Sequence, residues 1–363
     1  IRTLKGARLI CKKHPNVQII MKLFAFAMLS LVPSVTVCSV FSKEVDIYSG
    51  TYGNDDVEVF QPEEVMYHLA GRDGVFYEGA FTFDNYNPDK GGAGNRQGVF
   101  SGYSTHFSST EGTSLGFHCT GLNPGKNSSA SKSFIFVMGP WESGEEFVAP
   151  QVTFQNLGDL SFIADNMDMI GITDGATAGT GGGRYGKADI VSFNNVGNIE
   201  FRGLNHGGIG FSRLNSLAFT NTGDISFTDM KMGYSSNGGA IFINQGGNSS
   251  LYSNPGDGNI SFDHTGSIIF RNLVKTSYYM SSAGIFTNEG SISFNDTENI
   301  LFENNTSTGG PAAIGIGSIF LPDNQPSLSF SNIRGDIIFR NNKASGGSMP
   351  GMAGAITIYG SFK

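Results

Sequence analysis

Val191-Ser192-Phe193-Asn194-Asn195-Val196-Gly197-Asn198-Ile199-Glu200-Phe201 is the stretch whose reading decides the fold. It holds two aliphatic-x-Phe triplets separated by a short run of Asn, Val and Gly. Alternation at period two puts the aliphatic residue and the Phe of each triplet on one face of a strand. Asn and Gly tolerate positive φ, so the run between the triplets suits a sharp corner. A helix would need apolar residues at three- and four-residue steps, which this stretch lacks.

The same pattern recurs on both sides. Phe154, Gly158, Leu160 and Phe162 fit it, as do Phe219, Gly223, Ile225 and Phe227, and Phe262, Gly266, Ile268 and Phe270. Phe294, Ile300 and Phe302 keep the spacing with Glu298 in place of Gly, and Phe330, Gly335, Ile337 and Phe339 keep it with one residue inserted. Val152, Val191, Leu217, Ile260, Ile292 and Leu328 stand two residues before the first Phe of each copy. Copies begin 26 to 43 residues apart, an irregularity that loops between coils explain. One strand pair cannot bury its aromatic face alone, but stacked copies can, Phe on Phe. The expectation is an all-β, right-handed parallel β-helix over residues 151–363. A β-sandwich of hairpins competes with it, and the irregular spacing together with the uniform triplets favours the solenoid. Residues 43–150 carry strand-like pieces such as Phe134-Ile135-Phe136-Val137 without a clear copy of the unit, and are expected to form an irregular cap region. The last strand-like piece, Ala355-Ile356-Thr357-Ile358-Tyr359, lies close to Lys363, so a natural protein longer than this chain is expected.

Composition agrees with a turn-rich folded chain: 51 Gly and 30 Phe in 363 residues, with 15% charged. Residues 1–42 hold six Lys/Arg and no Asp or Glu, which leaves 17 basic against 31 acidic groups in the remainder. An acidic body without a clustered basic patch speaks against nucleic acid as a partner. Met21-Lys22 followed by the apolar run Leu23–Val32, and by Val40-Phe41-Ser42 before Lys43, has the build of a secretory signal peptide over residues 21–42. Its apolar run is short for a membrane span. Residues 1–20 are expected to be an upstream segment foreign to the natural precursor. A lipid-anchor reading at Cys38 is weakened by the bulky Val37. Once Cys11 and Cys38 are lost on processing, Cys119 stands without a disulfide partner and is expected to be a small buried apolar residue.

Two short motifs accompany the repeat. Gly238-Gly239-Ala240-Ile241 is a full Gly-Gly-Ala-aliphatic tetrad, with Ala283-Gly284-Ile285, Ala312-Ala313-Ile314 and Ala353-Gly354-Ala355-Ile356 as decayed copies. Phe302-Glu303-Asn304-Asn305 and Phe339-Arg340-Asn341-Asn342 both satisfy Phe-x-x-Asn. Paired tetrads of these two kinds behind a signal peptide resemble the chlamydial polymorphic outer membrane proteins, over residues 150–363 and the signal. The resemblance implies an autotransporter whose β-helical passenger lies outside the cell and whose C-terminal barrel sits in the outer membrane. It also implies adhesion to a host-cell surface protein and a role in virulence. The adhesion-motif candidates are then Gly238, Gly239, Ala240, Ile241, Phe302, Asn305, Phe339 and Asn342. No run of strands for a membrane barrel is present, so the passenger is expected without it, at the cell surface or secreted, alone or as an oligomer. The motifs also admit a structural reading: small residues let strands pack closely, and Asn bonds to a neighbouring coil at the corner.

Other spellings suggest chemistry and are read as structure. Gly181-Gly182-Gly183-Arg184-Tyr185-Gly186-Lys187 approaches a phosphate loop, but Ala188 replaces the needed hydroxyl residue and a strand-like segment follows. Gly112-Thr113-Ser114-Leu115-Gly116 spells a nucleophile elbow without the helix such an elbow requires. His68, His106, His118, His206 and His264 are scattered, and no metal, cofactor or enzymatic activity is expected. Arg334-Gly335-Asp336 spells an integrin tripeptide, although Gly335-Asp336 repeats the corner already present at Gly158-Asp159 and Gly223-Asp224. Two other readings stay open: a carbohydrate-active enzyme on the same scaffold, which needs clustered carboxylates on adjacent coils, and a truncated gene product without function.

Overall fold

The computed structural model describes residues 43–52, 64–81, 97–102, 104–122, 132–137, 151–167, 169–174, 188–211, 214–232, 239–243, 258–276, 281–288, 290–317, 326–345 and 354–358. The upstream segment (1–20), the export signal (21–42) and the phosphate-loop spelling at 181–187 lie outside the described residues. Among the described residues every element is a strand, and the strands pair in parallel. The chain is a parallel β-helix.

Each coil contributes strands at three successive positions that stack lengthwise on those of its neighbours. First strands, such as Gln151–Leu157, Ala188–Val196, Leu214–Thr222 and Asn259–Thr265, pair only with first strands of neighbouring coils. Second strands, such as Leu160–Met167, Ile199–Leu204 and Ile225–Thr228, do likewise. Both sets merge at Glu64–Phe81, which runs through the first two positions of its coil, so together they form one 16-stranded sheet. Third strands form an 8-stranded sheet, one for each coil, from Gln97–Gly102 to Ile356–Ile358. A 4-stranded corner sheet joins the second and third positions in the later coils, from Lys231–Met232 to Lys343–Ser345.

Register places like residues above like. Val191 faces Val152 and Leu217, and Phe193 faces Phe154 and Phe219. Two aromatic columns result. In the first, Phe154, Phe193, Phe219, Phe262 and Phe294 stack with ring centroids 4.6–4.9 Å apart and planes within 4° of parallel. In the second, Phe162, Phe201, Phe227, Phe270 and Phe302 stack at 4.7–4.9 Å. Parallel strands stand about 4.8 Å apart, which is also the separation of stacked rings. Backbone pairing and ring stacking therefore ask for the same rise. The Phe rings of both columns from 154 to 302 are buried.

Corners follow from the same repeat. Asn156, Asn195, Asn221, His264, Asp296 and Asn332, each two residues after a first-column Phe, adopt φ of 47–56°. Asp229, Asn272, Asn304 and Asn341 do so after the second-column Phe. Asn and Asp tolerate this left-handed conformation best among residues with side chains, and it turns the chain from one sheet into the next.

The cap expected over 43–150 is corrected by the sheets. Ser104–Ser109 pairs with Gln151–Leu157, and Leu115–Leu122 pairs with Leu160–Met167. Phe107 stacks on Phe154 at 5.2 Å and Phe117 on Phe162 at 4.9 Å, with Tyr67 and Tyr77 next in the two columns. Among the described residues the same sheets thus include strands from before and after 150, and Lys43–Tyr52 adds a further strand on Glu64–Phe81. These coils escape the pattern because Tyr stands for Phe and the corner is longer: ten residues separate Phe107 from Phe117, against eight between Phe154 and Phe162.

Lys275 stands out among the polar residues buried in the interior. Lys275 is buried in the corner sheet, level with Met232 on one side and Ser307 on the other, and its Nζ donates to the Thr308 carbonyl at 3.2 Å. Burial pushes its amine down to about 7 from 10.5. The folded chain therefore releases a proton that the unfolded chain keeps, and the cost grows as pH falls from 10.5 towards 7. Lys275→Met is expected to stabilise the fold at pH 7 by a few kcal/mol, on the order of its pKa shift. It should also flatten the rise in stability between pH 7 and pH 10. Urea denaturation at both pH values measures this, and an unchanged pH slope would refute the assignment. Phe227→Ala should cost about 3–5 kcal/mol in the same assay.

Candidate functional site

The adhesion-motif candidates fall mostly inside the solenoid. Gly238 lies outside the described residues. Gly239, Ala240 and Ile241 are buried where the chain enters the third sheet. Ile241 belongs to a column with Ile172, Ile209, Ile285, Ile314 and Ile356. Ala240 N–H donates to the Ala283 carbonyl at 2.8 Å, and Ile241 N–H to Gly284 at 3.0 Å. A methyl group on Gly239 would run into the Ser282 carbonyl oxygen, and one on Gly284 would come within 3.0 Å of the Phe302 ring. The tetrad is thus the place where a coil closes against the aromatic column, and only small residues fit there. Its decayed copies at 283–285 and 312–314 occupy the same level, as does the described part of the last one, Gly354-Ala355-Ile356. Gly207-Gly208-Ile209 is a further copy in register, legible as Gly-Gly-aliphatic but not singled out from the sequence.

Phe302 and Phe339 are members of the second column, 5.1 Å apart. Asn305 is fully buried: its Oδ1 accepts from Leu273 N–H at 3.0 Å and its Nδ2 donates to the Phe270 carbonyl at 3.0 Å. Asn342 repeats the arrangement one coil on, with Oδ1 accepting from Asn305 N–H at 3.2 Å and Nδ2 donating to Phe302 at 2.8 Å. Each Asn therefore fastens its coil to the preceding one.

Arg334-Gly335-Asp336 occupies the first corner of the last coil. Arg334 folds back along the solenoid, pairing with Asp296 at 3.2 Å and donating to the Thr265 carbonyl, two coils away, at 2.9 Å. Gly335 leaves room for Asn299 Oδ1, which accepts from Asp336 N–H at 3.0 Å. Asp159 and Asp224 use their carboxylates the same way, accepting from Asn198 N–H at 2.8 Å and Ser267 N–H at 2.7 Å. The recurring Gly-Asp is a ladder between coils.

The other candidates for chemistry sit apart. Strand Leu115–Leu122 follows Ser114 where an elbow needs a helix, and Ser114 Oγ accepts from Asp159 N–H at 3.0 Å. His68, His106 and His118 each face a hydroxyl on the next coil: Ser108 at 3.2 Å, Thr153 at 2.7 Å and Ser161 at 3.2 Å. Burial pushes His106 down to about 4. Among the described residues no three His, Cys, Asp or Glu gather in a way that holds a metal ion. Cys119 is buried beside the core.

One outward feature was not legible as such. Between the aliphatic and the Phe of the second strands, the outward position carries Ser161, Glu200 and Ser226, then Ile269, Leu301 and Ile338 in three consecutive coils. Beside that stripe runs Arg271, Glu303 and Arg340. Glu303 accepts from Arg271 Nε at 2.9 Å and from Arg340 Nε at 2.8 Å. The Glu303 side chain is only 12% exposed, against 43% for Arg271 and 57% for Arg340. The hydrogen bond from Arg340, then the charges of Arg340 and Arg271, hold the Glu303 carboxyl below its ordinary range despite partial desolvation. Solvent meets the guanidinium groups.

Asn305→Ala should cost about 2–4 kcal/mol, because it leaves a buried N–H and a buried carbonyl unpaired. Asn342→Ala should cost clearly less, since Asn342 itself lies in the half-exposed last described coil, where water can enter and replace its amide. Equal losses in urea denaturation would contradict this account. Comparison with protein-family models, curated proteins and solved structures finds no match to this chain.

Proposed function

We propose that the chain is the β-helical passenger of a polymorphic outer membrane protein of the chlamydial type, displayed at the bacterial surface and adhering to host cells. The observation that carries this reading is the regular placement of its two motifs. The Gly-Gly-Ala-aliphatic tetrad and its copies keep one level of the coil, and the Phe-x-x-Asn residues keep another. Motifs that mark the coil of one architecture are what a family of such passengers would share. A signal-like N-terminal segment over 21–42 supports export.

A rigid rod suits such a role. Its contacts are made coil to coil, so its length carries its outward faces away from any anchor. With Gly239, Ala240, Ile241, Phe302 and Asn305 buried and Arg334 fastened to Asp296 and Thr265, contact with a host protein falls to the outward faces of the sheets. The enzyme reading has less support, since the recurrent corner carboxylates Asp159 and Asp224 are engaged with backbone N–H groups of the next coil.

Beads coated with the purified chain should attach to epithelial cells in clear excess over albumin-coated beads. Arg334→Ala beads should attach as well as the parent. Attachment no greater than albumin would overturn the adhesin reading, and loss on Arg334→Ala alone would restore the tripeptide as the contact.

A further inference from the structure

We infer that the outward face of the second strands in the last three described coils is the contact surface for a host protein, and that it takes an acidic segment carrying apolar side chains. This rests on the adhesin reading and names the face that serves it. In the three coils that precede the stripe the outward position of the same column holds Ser161, Glu200 and Ser226, residues that suit a solvated strand, with Gly116 and Phe76 further back. Ile269, Leu301 and Ile338 replace them in consecutive coils, with Ile338 39% exposed. None of the three is among the buried core residues. An aliphatic stripe at outward positions adds nothing to the solenoid's interior, whereas polar-rimmed apolar patches are where proteins meet.

The rim selects the sign of the partner. The body of the chain is acidic, yet this face presents Arg271 and Arg340 with their guanidinium groups to solvent and the Glu303 carboxylate beneath them. Bonding to Glu303 from both sides fixes the two arginines two coils apart, about 10 Å. Each keeps N–H groups for a carboxylate of a partner, and Arg held in place is favoured at interface centres. A sulfated glycan would satisfy the arginines but would leave Ile269, Leu301 and Ile338 uncovered. An acidic protein segment satisfies both halves of the face.

The test uses beads coated with the full chain, intact epithelial cells, and two paired variants. Ile269→Ser with Leu301→Ser places on the stripe the residue that its own column accepts at 161 and 226, so the fold is preserved. Arg271→Gln with Arg340→Gln removes the cationic rim. Ile338→Ser alone, at the half-open last coil, covers the case in which the first pair folds poorly. Ser261→Thr, on the first-sheet face in the column of Thr153, is the control. Attachment should weaken roughly tenfold or more for each paired variant and persist for the control. It should resist free heparin and disappear when the cells are treated with trypsin. Loss with the arginine pair and with heparin, but not with the serine pair, would assign the face to a polyanionic glycan and overturn the proposal. Undiminished attachment by all variants would overturn it while leaving the adhesin reading in place. Failure of the parent chain itself to attach would remove both.

Discussion

The structure depends on a single coincidence of lengths: stacked aromatic rings and hydrogen-bonded parallel strands repeat at nearly the same distance. Phe193 lies 4.6 Å from Phe219 with planes 2° apart, and the strands that carry them keep register through seven paired positions. Neither set of contacts strains the other. Every other regularity follows. Once the columns stand, the residue two after each first-column Phe from Phe154 to Phe330 turns sharply, and Asn, Asp or His takes that place. Once the turn is made, the following polar side chain lies beside a backbone N–H of the neighbouring coil and bonds it.

Much of this was legible from the chain because the inward pattern has so few degrees of freedom. The aliphatic-x-Phe triplets from Val152 onward identified the two columns and the corner between them. The coils before 150 were missed because Tyr67 and Tyr77 stand where Phe was sought and because the corner between Phe107 and Phe117 is longer. Stacking tolerates both changes: Tyr presents the same ring face, and extra residues in a corner leave the strands in register. The column continues even where the spelling does not.

The candidate site was harder to read, for a reason rooted in where each kind of residue points. Asn305 and Ala240 recur in a motif because the interior holds them, so recurrence led inward. Outward positions answer to no neighbour but solvent, and they drift. Ile269, Leu301 and Ile338 become conspicuous only when the register sets them one above another, since their separations in sequence of 32 and 37 residues conceal the alignment. Arg334 shows the converse. Its tripeptide invites a surface role, yet its guanidinium group spans two coils to reach Thr265.

The sameness of successive coils makes length itself a negotiable property. Phe219 meets Phe193 below it much as Phe262 meets Phe219, so the junction between any two neighbours has one chemistry throughout. Loss or duplication of a whole turn in the gene would preserve every column and change only the reach of the rod, in steps of about 4.8 Å. Variation in such a molecule is cheapest in whole units of height, with the corners and loops free to diverge at each storey.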